Sequence, residues 1–407
     1  MKNHGYRLKL FISLLLVIST LALAACESSD SEPSATEATT AAKVGFDTTA
    51  TTTQTTKKEP DFNYEFPVGL EHLNKVENSK FSFKSVVNTS ISYSEYRDFR
   101  SCATAEFFVP GLAEGVIPQG MDVWEEKGLL LISGYFKDTS YSPTSVVLAV
   151  ELTTGNYVGE YYIKNKSGSN HTSHVGGLAV TNKNLFLSNS GNLYRIPLTE
   201  LTSAGAKGNI TIKETIATPT KGSFCNYSEG ILWVGDYYLE GDDSYSTPSW
   251  RHMTNRAGEE YGAWCVGYKL SGTTENGFTS SQWSSGMSYA TPDYVLSIEQ
   301  CVQGFTVYGD YIATSCSYGR AAKSHVNLYE NILDTSSHTT TTLNGKSVPV
   351  WFLDSKLDCD SYTTPPMSEA LAVYGDSILV LFESGASYYK DNGGMHPTDK
   401  VWKMTVK

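Results

Sequence analysis

One short pattern recurs five times along this chain, and it constrains the fold more than any other feature. A polar and a small residue open an apolar run, a tight turn follows, and a second apolar run ends in Ser, Gly or Tyr. The first unit opens at Gln119-Gly120-Met121 and continues through Leu129–Tyr135. The second opens at His174-Val175-Gly176-Gly177 and continues through Leu185–Asn189. The third reads Ser228-Glu229-Gly230 and Ile231–Tyr237, compressed, with a first strand that is hard to place. The fourth opens at Gln303-Gly304-Phe305 with Tyr311–Gly319, and the fifth at Ser368-Glu369-Ala370 with Ile378–Gly385. The runs are five to eight residues long, rich in Val, Ile, Leu, Tyr and Trp, and bounded by Gly, Asn, Asp and Ser. That is the signature of strands, and no long stretch has helical periodicity.

Third strands are expected at Val146–Glu151, Leu193–Leu198, Ala263–Leu270, Val326–Asn331 and Val401–Val406. Fourth strands follow in the first four units, at Tyr157–Ile163, Ile210–Ile216, Tyr294–Ile298 and Val348–Leu353. A repeat of four strands reads as a propeller blade. The chain ends after the third strand of the fifth unit, and one spare strand, Ala103–Val109, lies upstream of the first. Placing it as the outer strand of the last blade closes the ring and removes both exposed edges. The expectation is an all-β, five-bladed β-propeller closed by an N-terminal strand. A β-sandwich pair and a six-bladed ring using Phe81–Ser92 are the alternatives.

The N-terminus carries an address. Lys2, Arg7 and Lys9 precede an uncharged apolar run from Leu10 to Ala25, too short for a comfortable membrane span. It ends Leu23-Ala24-Ala25-Cys26. This resembles the lipobox of bacterial lipoproteins, which implies cleavage before Cys26 and diacylation of its thiol (a palmitate-type anchor). Two acyl chains hold a protein at a membrane where one does not. Residues 27–60 follow, Ser/Thr-rich with Thr48-Thr49-Ala50-Thr51-Thr52-Thr53, and too poor in apolar groups to offset ordering entropy. The domain reading is a signal peptide at 1–25, a disordered tether at 26–60 and a propeller domain at 61–407. The location expected is the extracellular face of the bacterial cell membrane, with the membrane as one partner.

The net charge is −12, and removing residues 1–25 takes away three cations and no acid, leaving about −15. That argues against a nucleic-acid partner, which needs a basic face. A mean hydropathy of −0.26 argues against a polytopic membrane protein. The six cysteines beyond Cys26 have no C-x-x-C spacing. They are expected to be mostly buried free thiols, with a Cys102–Cys359 bridge conceivable on closure.

In a propeller the innermost strands line a central channel, so the residues opening the units should converge at one mouth. The candidate channel or ligand residues are Gln119, His174, Glu229, Gln303 and Glu369. A candidate second ring is Tyr135, Asp236, Arg320 and Glu383, at or after the ends of second strands. A few convergent polar groups mark a ligand site; the same groups could instead close a plug by bonding backbone at blade junctions. Glu229 and Glu369 also invite a hydrolase reading, as a carboxylate pair for a glycosidase. His174 with the two glutamates would suit a transition metal, and carboxylates with Gln carbonyls would suit calcium, so the metal stays open. The insert Leu239–Gly262 mixes aromatic and charged residues and is long for a blade loop.

Pro118-Gln119-Gly120, His174 with Gly176-Gly177, Trp264-Cys265-Val266-Gly267-Tyr268 and Pro365-Pro366-Met367-Ser368-Glu369 together resemble secreted and lipoprotein β-propellers of Gram-positive bacteria. More distantly they resemble the YncE and SMP-30-like propeller group. The resemblance covers about residues 105–407 and implies the fold. SMP-30-like enzymes are six-bladed lactonases with a divalent metal, but their ligand set does not align here. The function expected is a membrane-anchored extracellular propeller that binds a ligand, such as a glycan, at its channel mouth. The alternatives are a hydrolase (glycosidase or metal-assisted lactonase) using channel carboxylates, and an interaction protein whose rim engages another envelope protein.

Overall fold

The computed structural model describes residues 72–87, 93–138, 144–357 and 359–406. The leader, Cys26 and the Ser/Thr-rich segment lie outside the described residues. Five small sheets ring a common axis as a five-bladed propeller. The innermost strands are Val116–Trp124, Gly177–Val180, Phe224–Ser228, Val302–Tyr308 and Ser368–Tyr374. Each contacts the next around the axis, and the fifth contacts the first. They approach closely: a Cβ on Gly177 would lie 2.0 Å from the Cys225 amide nitrogen, and one on Gly304 2.4 Å from the Glu369 carbonyl oxygen. Only glycine permits that spacing.

The second strands explain why the apolar runs are continuous rather than alternating. Leu130 and Ile132 pack toward blade five, against Ala370, Ala372, Leu379 and Leu381. Leu131, between them, packs toward blade two, against Leu178, Leu185 and Leu187. The same alternation recurs at each of the other blade junctions. Side chains on a strand point to opposite faces in turn, and here both faces are covered by neighbouring blades. Each fully buried aliphatic side chain contributes about 1.5–3 kcal/mol.

The ring closes as the strand count requires. Ala103–Phe108 pairs antiparallel with Lys400–Thr405, Ala103 opposite Met404, as the outer strand of blade five. Upstream, Ser85 Oγ and the Val86 amide donate to Asp399 just before the last strand, both at 2.8 Å.

Two fourth strands differ from the expectation. Lys207–Thr211 runs parallel to Tyr157–Lys164 at the edge of blade one, and Glu214–Ala217 completes blade two. Likewise Lys346–Phe352 runs parallel to Tyr294–Ile298 in blade three, while Cys359–Thr364 completes blade four. In both places a segment read as one strand's territory serves the preceding blade and covers its open edge. Cys102, Cys225, Cys265, Cys301, Cys316 and Cys359 are all free thiols, so the Cys102–Cys359 bridge is not formed.

Candidate functional site

Three of the five unit-opening residues sit at interruptions of the strand ladder. The pairing shifts register between Pro118 and Met121, between Val302 and Gly304, and between Ser368 and Leu371. A bulge leaves its extra residue unpaired and re-aims the side chain. Gln119, Gln303 and Glu369 are the residues so placed, and they meet at one end of the channel.

There they surround a second carboxyl, Glu383, the first residue after the second strand of blade five. Gln119 Nε2 donates to Glu383 Oε2 at 2.8 Å, and Gln303 Nε2 to Glu369 Oε1 at 3.3 Å. Glu369 and Glu383 are hydrogen-bonded to each other, and the Tyr389 hydroxyl bonds Glu383 as well. Glu369 is 2% exposed and Glu383 7%, so water cannot screen the pair. Burial, then the adjacent Glu383 charge, pushes the Glu369 carboxyl well above its usual range. Burial raises Glu383 to about 8, opposed by the bonds from Glu369, Gln119 and Tyr389 and by the nearby Lys137. Two carboxyls in contact cannot both ionise cheaply, and with both pushed upward the pair resists losing its protons at neutral pH, Glu369 donating to Glu383.

The rim above the pair is aromatic and cationic. The Tyr135 and Tyr389 hydroxyls are 3.5 Å apart, and the His174 ring lies 4.0 Å from that of Tyr135. His174 is exposed, on the loop before the inner strand of blade two. Arg320 lies over Tyr388 and Tyr389, at 5.3 and 5.1 Å from the ring centres, and donates to the Asn392 carbonyl. Lys137 lies 5.9 Å from the Tyr135 ring centre and 5.7 Å from that of Tyr388.

Seven of the nine sequence candidates are therefore brought to this mouth: Gln119, His174, Gln303, Glu369, Tyr135, Arg320 and Glu383. Two are not. Glu229 is exposed in the two-residue turn joining Phe224–Ser228 to Ile231–Gly235. That is the far end of the inner strand, level with Val307, whose amide donates to Ser228 Oγ. The strand it was expected to open lies before it, disguised by Asn226 and Ser228. Asp236 is buried, but both its oxygens are engaged elsewhere: Oδ1 accepts from the Lys221 amide and Arg251 Nη1, each at 2.6 Å, and Oδ2 from the Trp264 amide at 3.0 Å. It anchors the insert, whose Arg256 also grips Asp354. Lys137 was missed by sequence reasoning; its only signal is its position directly after the second strand of blade one.

With Glu229 at the other end, the metal set of His174, Glu229 and Glu369 is not assembled. Among the described residues no group of three or more His, Cys, Asp or Glu side chains is placed to hold a metal ion. The Glu369–Glu383 contact also differs from a glycosidase pair, whose carboxyls stand roughly 5 Å or more apart with the scissile bond between them.

No protein-family model matches the chain, and no curated protein matches it. Among solved structures it is similar to the glutaminyl cyclase of Myxococcus xanthus, at 10% identity over 75% of this chain and 97% of that one, with a TM-score of 0.35. It is also similar to a GH43_1 enzyme of Xanthomonas citri, at 9% identity over 77% and 97%, with a TM-score of 0.35. An oxidoreductase described as a glucose dehydrogenase, from Thermus thermophilus, matches at 11% identity over 74% and 99%, with a TM-score of 0.34. Likeness at this level transfers no residue and no reaction.

Proposed function

We propose that this chain is a lipid-anchored extracellular β-propeller that binds a glycan at the channel mouth of blades one, four and five. Cys26 would be the acylated N-terminus and residues 27–60 the spacer, as in the Gram-positive lipoproteins the sequence resembles. One observation carries the reading. Gln119, Gln303, Glu369 and Glu383, from three blades, form a single hydrogen-bonded cluster, Gln303 half-buried and the others buried, beneath Tyr135, His174, Tyr388 and Tyr389. Amides and protonated carboxyls offer donors and acceptors to hydroxyls, and flat aromatic faces suit sugar rings. A plug alone would not need exposed His174 and half-buried Tyr388 above it.

A carboxyl pushed up to about 8 also suits acid–base chemistry, which keeps hydrolysis as a second reading. The test uses the full chain purified in detergent and a pool of cell-wall and plant oligosaccharides, with bound and free fractions read by mass spectrometry. Retention of an oligosaccharide without new masses, weakened at least tenfold by Gln303→Ala, is the expected result. Smaller products that disappear in Glu369→Gln would replace binding by hydrolysis. Nothing retained and nothing cut would overturn both.

A further inference from the structure

The face that carries the mouth also carries a cleft. In blade one the four strands alternate in direction, so the fourth, Tyr157–Lys164, ends at the level of the mouth. Residues 165–176 then cross to the inner strand of blade two. The third strand of that blade, Asn192–Pro197, begins at the same level and carries Tyr194. Between this strand, the crossing loop and residues 212–215 lies a cleft of about 530 Å³. Half-buried Tyr194 is the one aromatic side chain of its lining, and Lys166, Ser167 and Thr215 supply polar groups. The charges of the far wall are already matched: Lys213 pairs with Glu200 at 2.9 Å, and Glu214 with Arg195 at 3.1 Å. The crossing loop joins the cleft to the mouth. The His171 ring lies 4.8 Å from that of Tyr194, and three residues on, the His174 ring lies 4.0 Å from that of Tyr135. At most about 11 Å of backbone separates these two ring contacts. The loop is held in place from both sides. His171 Nδ1 donates to Asn165 Oδ1 at 2.8 Å and Nε2 accepts from Ser173 Oγ at 2.5 Å, while Ser145 Oγ donates to the Ser173 carbonyl at 2.6 Å. Burial pushes the His171 imidazole down to about 4, so the ring stays neutral and keeps both bonds. A polar surface ordered in advance loses less entropy when a ligand settles on it.

We propose that this cleft is a second saccharide subsite, which takes the continuation of a glycan chain whose end lies in the mouth; this rests on the glycan-binding reading above. The chain crosses the loop between His174 and His171. One sugar ring then covers Tyr194, and its hydroxyls meet Ser167, Thr215 and the Lys166 ammonium. A sugar presents a ring face edged by hydroxyls, and an aromatic plane edged by polar groups answers both at each end of this path. A peptide would ask for apolar pockets for its side chains, and Ile212 is the lone aliphatic residue of this lining. Two contacts made by one chain raise affinity beyond either alone.

The test separates the oligosaccharide pool by gel filtration into di- and trisaccharides and into hexasaccharides and longer, and titrates each into the full chain. The long fraction is expected to bind about tenfold tighter or more. Thr215→Arg fills the cleft from an exposed position, where substitutions change stability little. It should bring the long fraction down to the affinity of the short one and leave the short one unchanged. Tyr194→Ala should do the same, whereas Tyr194→Phe, which keeps the ring, should retain the advantage of the long fraction. Equal affinity for the two fractions, or a Thr215→Arg variant that holds the long fraction like wild type, overturns the subsite while leaving the mouth standing. A Thr215→Arg loss shared equally by both fractions also overturns it, since the effect would then lie in the mouth. If neither fraction binds, the glycan reading fails and the subsite with it.

Discussion

Asp236 and Glu383 hold the same place in their blades. Each is the first residue after a second strand, in blades three and five respectively, and each is buried. Their surroundings differ. Asp236 faces a guanidinium and two backbone amides; Glu383 faces another carboxyl, two neutral donors and a more distant lysine. Burial raises both carboxyls. For Asp236 the guanidinium of Arg251, charged at every accessible pH, supplies a counter-ion for the ionised form. For Glu383 the nearest partner is a like group, and keeping the carboxyls protonated is the cheaper solution. Position in the repeat thus names the candidates, while the partners decide which is a charged structural anchor and which is a protonated pair.

The largest expected effect tests the anchor. Arg251→Met leaves Asp236 buried without its counter-ion, and breaking such a pair costs about 3–5 kcal/mol. Urea unfolding should show that loss, and the insert Leu239–Gly262 should become protease-sensitive. A loss below about 1 kcal/mol would break the comparison, because Asp236 would then be as tolerant of neutralisation as the pair.

The next effect tests the pair through pH. In the folded protein Glu383 titrates near 8 and Glu369 well above its usual range, whereas in the unfolded chain both titrate near 4.5. The folded state therefore holds protons that the unfolded state sheds. Their contribution to stability is fully present below about pH 4.5 and is lost as pH rises through about 8. Glu369→Gln keeps a donor toward Glu383 and removes the like charge. The variant's stability should fall less between pH 5 and 9, and it should exceed wild type at pH 8 by about 1 kcal/mol or more. The difference between the two profiles isolates the pair, since every other carboxyl titrates in both proteins. Parallel profiles would mean that Glu369 does not raise its neighbour's carboxyl.

Much of this was legible in the sequence because the signal is repetitive. Blade count, the closing role of Ala103–Phe108 and the convergence of Gln119, Gln303 and Glu369 all follow from short apolar runs punctuated by small residues. What was not legible has a local cause. In blade three the inner strand Phe224–Ser228 includes Asn226 and Ser228, whose side chains bond the inner strand of blade four and, across the channel, that of blade five. Those polar residues hid the strand, and Glu229 was assigned to its head. The parallel edge strands Lys207–Thr211 and Lys346–Phe352 were assigned to the wrong blades, because composition marks a strand but not its partner. The place of Lys137 at the mouth depends on its distance to Tyr388, a ring of blade five, which no spacing encodes.

The smallest expected effect concerns Glu229, the carboxylate that the repeat put forward and the fold sets aside. It occupies the first central position of a two-residue hairpin turn, with φ of 51°, followed by Gly230 at 75°. Two positive φ values define the turn that matches strand twist, and Asn-Gly is its preferred sequence; Glu at the first position carries the Cβ penalty of the left-handed region. Glu229→Asn should therefore stabilise the propeller slightly, by about 0.5 kcal/mol or less, as surface changes generally do. Oligosaccharide binding at the mouth should be unchanged, since the turn lies at the other end of the strand. A shift in binding comparable to that of Gln303→Ala would mean that the two ends of the channel act together. The distinction between anchored and protonated carboxyls would then have to be drawn along the whole axis rather than at one mouth.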